Sequence, residues 1–390
     1  MIEIDKTRYK KDIAIVVVGY NRIESMARLL DSLLRAKFQH SVPLFISIDC
    51  SGDQKLYDYV REFQWPYGDK LVNIQDERLG LKNHILQCGD LTEYFKAVVI
   101  LEDDIFVSEY FYPYVEQAVD YYYNDDRIAC ISLYRNEVQG LVMLPTLSVQ
   151  DGCDAFLKQS VASWGQCWTD RMWKSFRDWY DNADRENFDD VDMPAEIKSW
   201  GKAWSKYYIS YEIQNEKYCL FPSVSHTTCF CEAGENGQFS TSIGQVTLLS
   251  GLKQYNFRPF DEMTIYDVYG NNIALYKWLN LDNSDLCINL YGYRGNVNNS
   301  RYILSPYEMP YYKVRSFAMS LRPIELNIKY DIKGEEIHLY DTNQPISKKQ
   351  ITKMPLSFAY YYLRFFNIRL LRRYVINYYI LAIKRKLGIK

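Results

Sequence analysis

The stretch from Asp12 to Asn21, DIAIVVVGYN, constrains the fold more than any other part of the chain. It is a continuous β-branched run ended by Gly19. A strand with one face in water alternates apolar and polar residues. A run without that alternation must be covered on both faces, as in parallel sheets. The residues that follow, RIESMARLLDSLLRAKF, place Met26, Leu29, Leu30, Leu33 and Leu34 at helical spacing. The pattern then repeats. VPLFISIDCSGD reads as a strand ending in Asp49, Gly52 and Asp53, QKLYDYVREF as a helix, and KLVNIQDE as a strand. KNHILQCGDLTEYF reads as a helix and AVVILEDD as a fourth strand. The order β-α-β-α-β-α-β predicts an α/β fold built on a parallel sheet.

Beyond Asp104, SEYFYPYVEQAVDYYYND predicts a helix and RIACISLY a strand. SWGQCWTDRMWKSFRDWY, from Ser163 to Tyr180, predicts a small aromatic-rich loop that becomes an amphipathic helix, with Trp168 and Trp173 inside the helix. EIKSWGKAWSKYYISYEIQNEK predicts a helix, and YCLFPSVSHTTCF a strand that ends at His226. ELNIKYDI and EIHLYDTN suggest a small β appendage. The resulting division is a catalytic domain over 1–255, an appendage over 256–350 and a terminal helix over 351–390.

Bulk properties exclude several classes. A net charge of −3 carries no nucleic-acid signature. The nine cysteines include no CxxC pair, and Cys229 and Cys231, two apart, suit neither a zinc knuckle nor a redox pair. The first apolar run is short and leads into a turn, so no signal peptide is expected. Reduced thiols and a cytoplasmic location follow as expectations. No segment reaches the roughly 18–20 uncharged apolar residues of a spanning helix.

The chemistry concentrates in VVILEDDIFVSEYF, where Glu102, Asp103 and Asp104 follow an apolar strand directly. Ligands of parallel sheets bind beyond the C-terminal strand ends. The polar groups predicted at those ends are Tyr20-Asn21-Arg22, Asp49 with Asp53, Asp76-Glu77-Arg78, and Glu102-Asp103-Asp104. No GxGxxG follows the first strand and no GxxxxGK[ST] occurs, so dinucleotide and P-loop sites lose ground. Clustered carboxylates repel and raise each other's pKa. A divalent cation such as Mg²⁺ or Mn²⁺ removes that penalty, held by one or two carboxylates plus substrate phosphates. An isolated acidic triplet could instead cap a helix. The apolar run before it and the other acidic strand ends favour the metal.

The segments VVVGYNRIESMARLLDSLL, ISIDCSGD, VVILEDDIFVSEYFYPYVEQAVDYYYND and SWGQCWTDRMWKSF occur in the order seen in GT-A nucleotide-sugar glycosyltransferases. The chain resembles N-acetylglucosaminyltransferase I and related bacterial polysaccharide transferases over about residues 12 to 245. The resemblance implies a Rossmann-like GT-A domain and a nucleotide-sugar donor, most simply a UDP-sugar. It implies Asp104 as metal ligand, with Glu102 and Asp103 on the nucleoside side or holding the loop. Arg22 and Asp49 match positions that approach the uridine. Physically, Arg22 could reach the diphosphate or stack on a base, and Asp49 could accept from a base N–H. Lys82, in LGLKNHIL, could face a phosphate from a helix start. Tyr20 lies in the same first-strand turn. Trp164 and Gly165 match the loop that closes over the donor sugar. His226 stands where many members place a second metal ligand.

An inverting transferase needs a base for the acceptor hydroxyl. The family's tryptophan-flanked Asp is missing from EIKSWGKAWSKYY, which leaves Glu196 first and Asp192 second as candidates. The tail PLSFAYYYLRFFNIRLLRRYVINYYILAIKRKLGIK, residues 355–390, holds basic residues and no acidic one. It is expected to lie on an anionic membrane surface, with packing on the catalytic domain or in a homodimer as the alternative. The function this implies is transfer of a sugar to a polysaccharide or lipid-linked glycan at the inner face of a bacterial membrane. The rivals are a sugar-nucleotidyltransferase and a non-catalytic, membrane-docked scaffold.

Overall fold

A computed structural model describes residues 5, 7–140, 143–185, 187–232, 243–294, 300–347, 355–364 and 367–386. The chain forms two compact units, Met1–Leu141 with Ser148–Ala274, and Val142–Leu147 with Leu275–Lys390. The break expected after residue 255 therefore falls at Ala274 instead. The residues from 256 to 274 add a strand and core aromatics to the first unit.

The first unit opens with β1 (Ile13–Gly19), α1 (Ile23–Arg35), β2 (Leu44–Ile48), α2 (Gln54–Glu62), β3 (Lys70–Ile74) and α3 (Gly80–Gly89). It continues with β4 (Ala97–Glu102), β5 (Ile105–Val107), α4 (Phe111–Tyr122), β6 (Ile128–Ser132), β7 (Ala155–Lys158) and β8 (Gln166–Thr169). Helices α5 (Asp170–Asn182), α6 (Ala195–Lys198) and α7 (Trp204–Gln214) precede β9 (Tyr218–Pro222), β10 (Thr227–Cys229) and β11 (Ile265–Tyr266). Nine of these strands form one sheet, in the order β11-β7-β9-β6-β8-β4-β1-β2-β3. The pairs β1–β2, β1–β4, β2–β3, β6–β9 and β7–β11 are parallel. Strand β8 runs antiparallel between β4 and β6, and β7 antiparallel to β9. The expected α/β class with a mostly parallel sheet is the observed one.

Strand β1 explains itself. Ile15 and Val17 face a core shared with Met26, Leu29 and Leu30, while Val16 and Val18 face a second core with Ile85 and Phe95. Both faces are dry, so no polar position survives in the run. Helix α2 begins where the Asp53 carboxylate accepts from the Lys55 and Leu56 amides at 3.1 and 3.3 Å.

Four local expectations are corrected. Gln166–Thr169 is a strand, not the start of a helix. Trp168 therefore sits mid-sheet, and Thr169 caps α5 by accepting from the Met172 N–H at 3.2 Å. The helix expected from Glu196 breaks into α6 and α7 around Gly201, a residue that weakens helix interiors. The strand expected to end at His226 splits into β9, which stops at Pro222, and β10, which starts after His226. ELNIKYDI is not a strand: Leu326–Lys329 is a short helix, with the Lys329 N–H bonded to the Glu325 carbonyl at 3.0 Å.

Thiol status also differs from expectation. Cys130 on β6 and Cys219 on the adjacent β9 form a disulfide in the dry core, where reduced thiols were expected.

In the second unit, strands β12 (Leu286–Ile288), β13 (Tyr302–Ser305), β14 (Tyr311–Phe317) and β15 (Ile337–Pro345) form a sheet in the order β12-β13-β15-β14. Its core takes Leu304, Phe317 and Leu339 together with Phe358, Tyr361 and Tyr362. The last three lie on a helix, Leu356–Leu363, that was expected to belong to the tail. A final helix spans Ile368–Lys386. Its apolar residues Ile368, Leu370, Tyr374, Tyr378, Leu381 and Ile383 are exposed. Among the described residues, no helix is long and apolar enough to cross a membrane.

Candidate active site

Strands β1, β2 and β4 are parallel neighbours, so Gly19, Ile48 and Glu102 end on one rim. Strand β8 begins at the same rim because it is antiparallel to β4, with Gln166 paired to Ile100. The rim therefore collects the turn after β1, the acidic triplet after β4 and the loop before β8.

The charge that meets the acidic strand end is Arg22. Its guanidinium pairs closely with Asp103 through Nη2, reaches the other Asp103 oxygen through Nε at 3.3 Å, and touches Asp104 at 3.4 Å. Asp103 is the more enclosed of the two, its side chain 5% exposed against 15% for Asp104. Burial pushes the Asp103 carboxyl up to about 6 even against Arg22. Burial works against the Arg22 charge too, but Asp103, then Asp104 and Glu102, outweigh it and hold the guanidinium above its ordinary range. Glu102 lies opposite Val18. Burial, then Asp104 and Asp103, push Glu102 up to about 8.

These shifts have a measurable consequence. A carboxyl whose folded pKa exceeds its unfolded value binds protons more tightly in the native state. For Glu102 the stabilisation is full below its ordinary 4.5 and is lost as pH rises through about 8. Metal-free protein is therefore expected to lose stability between those limits, with a slope approaching about 1.4 kcal/mol per pH unit. Urea unfolding midpoints at a series of pH values measure this. Glu102→Gln flattens the slope; an unchanged slope in that variant would refute the assignment.

A second latch joins the same corner. The Glu232 carboxylate accepts from Arg28 at 3.0 and 2.6 Å and pairs closely with the Ser25 hydroxyl. Arg28 also lies over the Phe230 ring at 3.9 Å. The Phe230 N–H donates to the Asp104 carbonyl at 3.0 Å, so residues 230–232 border the triplet. The sequence reading missed Ser25, Arg28, Phe230 and Glu232. Two hundred residues of intervening chain hid the pairing, and neither segment carries a motif.

Two candidates do not hold the roles expected of them. His226 is fully buried, stacked on Tyr114 at 4.4 Å, with Nε2 3.2 Å from the Tyr255 hydroxyl. Burial pushes its pKa down to about 3, so the ring is neutral. Strand register sets Thr227 opposite Val107 and Cys229 opposite Ile105, which leaves His226 about 13 Å along the ribbon from Asp104. It packs the core and is not a ligand beside Asp104. Asp49 is also enclosed, and its oxygens accept from the amides of Cys50, Leu79 and Gly80 at 2.9, 2.8 and 2.9 Å. It caps α3 rather than presenting an acceptor to a base. It also fills the anion-binding head of α3 that Lys82 was expected to share with a phosphate.

The remaining candidates are placed as follows. The Lys82 ammonium stands 5.2 Å above the Tyr207 ring, and Arg78 stands 4.9 Å above the Tyr20 ring. Trp164 is half-buried and meets Tyr134 edge-on at 4.7 Å. Gly165 has φ of 113°, a conformation side chains resist, and a Cβ there would sit 3.0 Å from Thr227. Asp192 accepts from the Tyr269 hydroxyl at 2.8 Å, and Glu196 is exposed on α6.

The donor set fits a hard divalent ion only in part. Asp104 offers a carboxylate not locked by Arg22, and substrate phosphates would complete the shell. Among the described residues, the cluster of at least three metal-type side chains within 4.8 Å is Cys130, Glu212 and Cys219, not the acidic corner. The two sulfurs there are joined in the disulfide, so no thiolate remains for an ion.

Compared with protein-family models and with curated proteins, the chain matches none. Some solved structures are similar over part of their length. S. aureus TarS 1–349 in complex with UDP-GlcNAc is 15% identical with a TM-score of 0.38, over 57% of this chain and 60% of that one. GalNAc-T7 with UDP, GalNAc and Mn²⁺ is 15% identical with a TM-score of 0.38, over 55% and 43%. The mannosyltransferase PcManGT from Pyrobaculum calidifontis, with GDP-Man and Mn²⁺, is 11% identical with a TM-score of 0.34, over 56% and 58%. The match thus spans 60% or less of each of these chains. At such TM-scores the likeness adds nothing to the geometry above.

Proposed function

We propose that the chain is a metal-dependent glycosyltransferase of the GT-A type. It takes a nucleotide sugar, a UDP-sugar, and moves the sugar to a polysaccharide or lipid-linked glycan in bacterial surface glycan synthesis. The supporting observation is the division of labour at the end of β4. Arg22 engages Asp103 with two nitrogens and only grazes Asp104 at 3.4 Å, leaving the more exposed carboxylate for a ligand. Mn²⁺ or Mg²⁺ held by Asp104 would offset charge on the departing diphosphate.

The chain's own groups do the rest. Arg22 keeps Asp103 paired and adds positive charge beside the diphosphate. Tyr20 and Trp164 offer aromatic faces to base and sugar, Gly165 lets backbone come close, and Lys82 supplies a further cation. Burial and the neighbouring carboxylates raise the proton affinity of Glu102, so that in metal-free protein its carboxyl can donate a hydrogen bond from the strand end. The acceptor proton passes to Glu196 or Asp192 as the bond from sugar C1 to the phosphate oxygen breaks and that to the acceptor oxygen forms. Inversion at C1 is the outcome that the resemblance to N-acetylglucosaminyltransferase I implies.

Titration calorimetry with UDP in the presence and absence of Mn²⁺ tests the reading. Metal-dependent binding is expected, and a panel of nucleotide sugars then identifies the donor by its hydrolysis. One rival has an observation in its favour: Arg22 already neutralises Asp103, as a permanent counter-ion would in a non-catalytic scaffold. That reading requires no metal-dependent binding.

The final helix is proposed to dock on the inner face of the cell membrane. Arg369, Arg372, Arg373 and Lys384 accompany its exposed apolar residues, and residues 368–386 contain no acid. Each cation near an anionic leaflet contributes about 1 kcal/mol. Co-flotation with phosphatidylserine vesicles is expected, weakening with salt, and lost on truncation after Asn367. Equal binding to neutral vesicles, or a concentration-dependent dimer in place of binding, would point to the alternative of helix pairing.

A further inference from the structure

Cys229 ends β10, and Cys231 follows in the segment that borders Asp104. In an extended strand, residues two apart share a face but lie roughly 6.6 Å from each other. The sequence argued against a redox pair because the two cysteines are two apart and form no CxxC pair. The structure removes the objection. Cys231 has φ of 45°, which turns the chain back on itself. Its Sγ lies 3.2 Å from the Cys229 Sγ, and its N–H donates to the same sulfur at 3.1 Å. Cys229 is buried and Cys231 half-exposed, so Cys231 is the residue of the pair that a reagent meets first.

The surroundings tie this pair to the candidate active site. Cys229 is opposite Ile105 in the ribbon, and the Phe230 N–H between the two cysteines bonds the Asp104 carbonyl. The next residue, Glu232, holds Ser25 and Arg28 of α1. A disulfide needs its sulfurs at about 2.05 Å. Closing the gap draws Cys231 toward β10 and pulls on both the Asp104 backbone and the Glu232 latch.

We propose that Cys229 and Cys231 are a reversible dithiol–disulfide pair, oxidised by a small-molecule disulfide, whose closure weakens nucleotide binding at the neighbouring Asp104. The pairing stands on geometry alone; its effect on nucleotide rests on the proposed function. The chemistry is thiol–disulfide exchange. The Cys231 thiolate attacks one sulfur of the reagent, forming a mixed disulfide and releasing one thiol. The Cys229 sulfur then attacks the Cys231 sulfur and displaces the second thiol. Two protein sulfhydryls lose two electrons and two protons, and the reagent gains both as two thiols.

The test treats the reduced full-length protein with glutathione disulfide, maps its peptides, and titrates UDP with Mn²⁺ before and after. The peptide holding both cysteines is expected to lose two hydrogens and carry no glutathione. UDP affinity is expected to fall by roughly 5- to 150-fold, the usual span of coupling between two sites, and dithiothreitol restores it. Cys231→Ser is expected to bind UDP like the reduced protein and to ignore the oxidant. Cys50 is the other half-exposed free thiol among the described residues and serves as the internal control. A stable glutathione adduct on Cys231, or reaction at Cys50 alone, overturns the pair. A disulfide that forms without changing UDP affinity overturns the regulation. If reduced protein binds no UDP while the disulfide still forms, the pair stands and the nucleotide reading falls.

Discussion

Replacing Asp104 with alanine is expected to remove metal-dependent UDP binding and to cut donor turnover by roughly 10²- to 10³-fold, the usual cost of losing one preorganised charge-stabilising group. The reason is positional. Asp104 is the carboxylate of the triplet that Arg22 contacts only at 3.4 Å. The fold should not suffer. Asp104 raises the proton affinity of both Glu102 and Asp103, so its removal relieves repulsion while the Arg22–Asp103 pair persists. The variant is therefore expected to melt at or above the wild-type temperature while failing to bind. Calorimetry and thermal denaturation on the same sample separate these effects. Full metal-dependent binding by the variant would remove Asp104 from the site. A large fall in melting temperature would instead make it a structural residue.

Trp168→Ala should give the largest loss of stability, about 3–5 kcal/mol. Trp168 is fully buried, and its ring lies 4.5 Å from Trp173 and 5.7 Å from both Trp204 and Tyr208. It thus joins β8 to α5 and α7. A domain is stable by only about 5–15 kcal/mol, so the variant would be close to unfolding. Trp168→Phe keeps part of the ring contact and should lose less. Urea titration measures both. A loss under about 1 kcal/mol for the alanine variant would mean that the aromatic cluster repacks around the gap.

Local periodicity made much of the first unit legible. DIAIVVVG had to be covered on both faces, and the helical spacing of Met26, Leu29, Leu30 and Leu33 matches the buried face of α1. Each element from β1 to β4 lies where its own pattern put it. The failures share a cause. QCWT carries no strand alternation, and it becomes a strand because β4 and β6 offer it unpaired edges. Leu356–Leu363 looked like tail because its charged neighbours are tail, yet Phe358 and Tyr361 found a core distant in sequence. In the candidate site, the triplet and Arg22 could be identified because each follows a readable strand. Asp49 and His226 follow readable strands as well, but their roles depend on partners. Asp49 is taken by the head of α3, and His226 by Tyr114 and Tyr255.

The amino-acid order by itself determined the layered α/β architecture and the rim where charge must gather, because burial on two faces and helical periodicity act over a few neighbouring residues. Only the tertiary structure decided that Arg22 is the cation meeting the acidic strand end. It alone revealed the Glu232–Arg28 latch and the two sulfurs of Cys229 and Cys231 held 3.2 Å apart. Those facts depend on strand register, a single left-handed residue and contacts across two hundred positions, which no local pattern encodes.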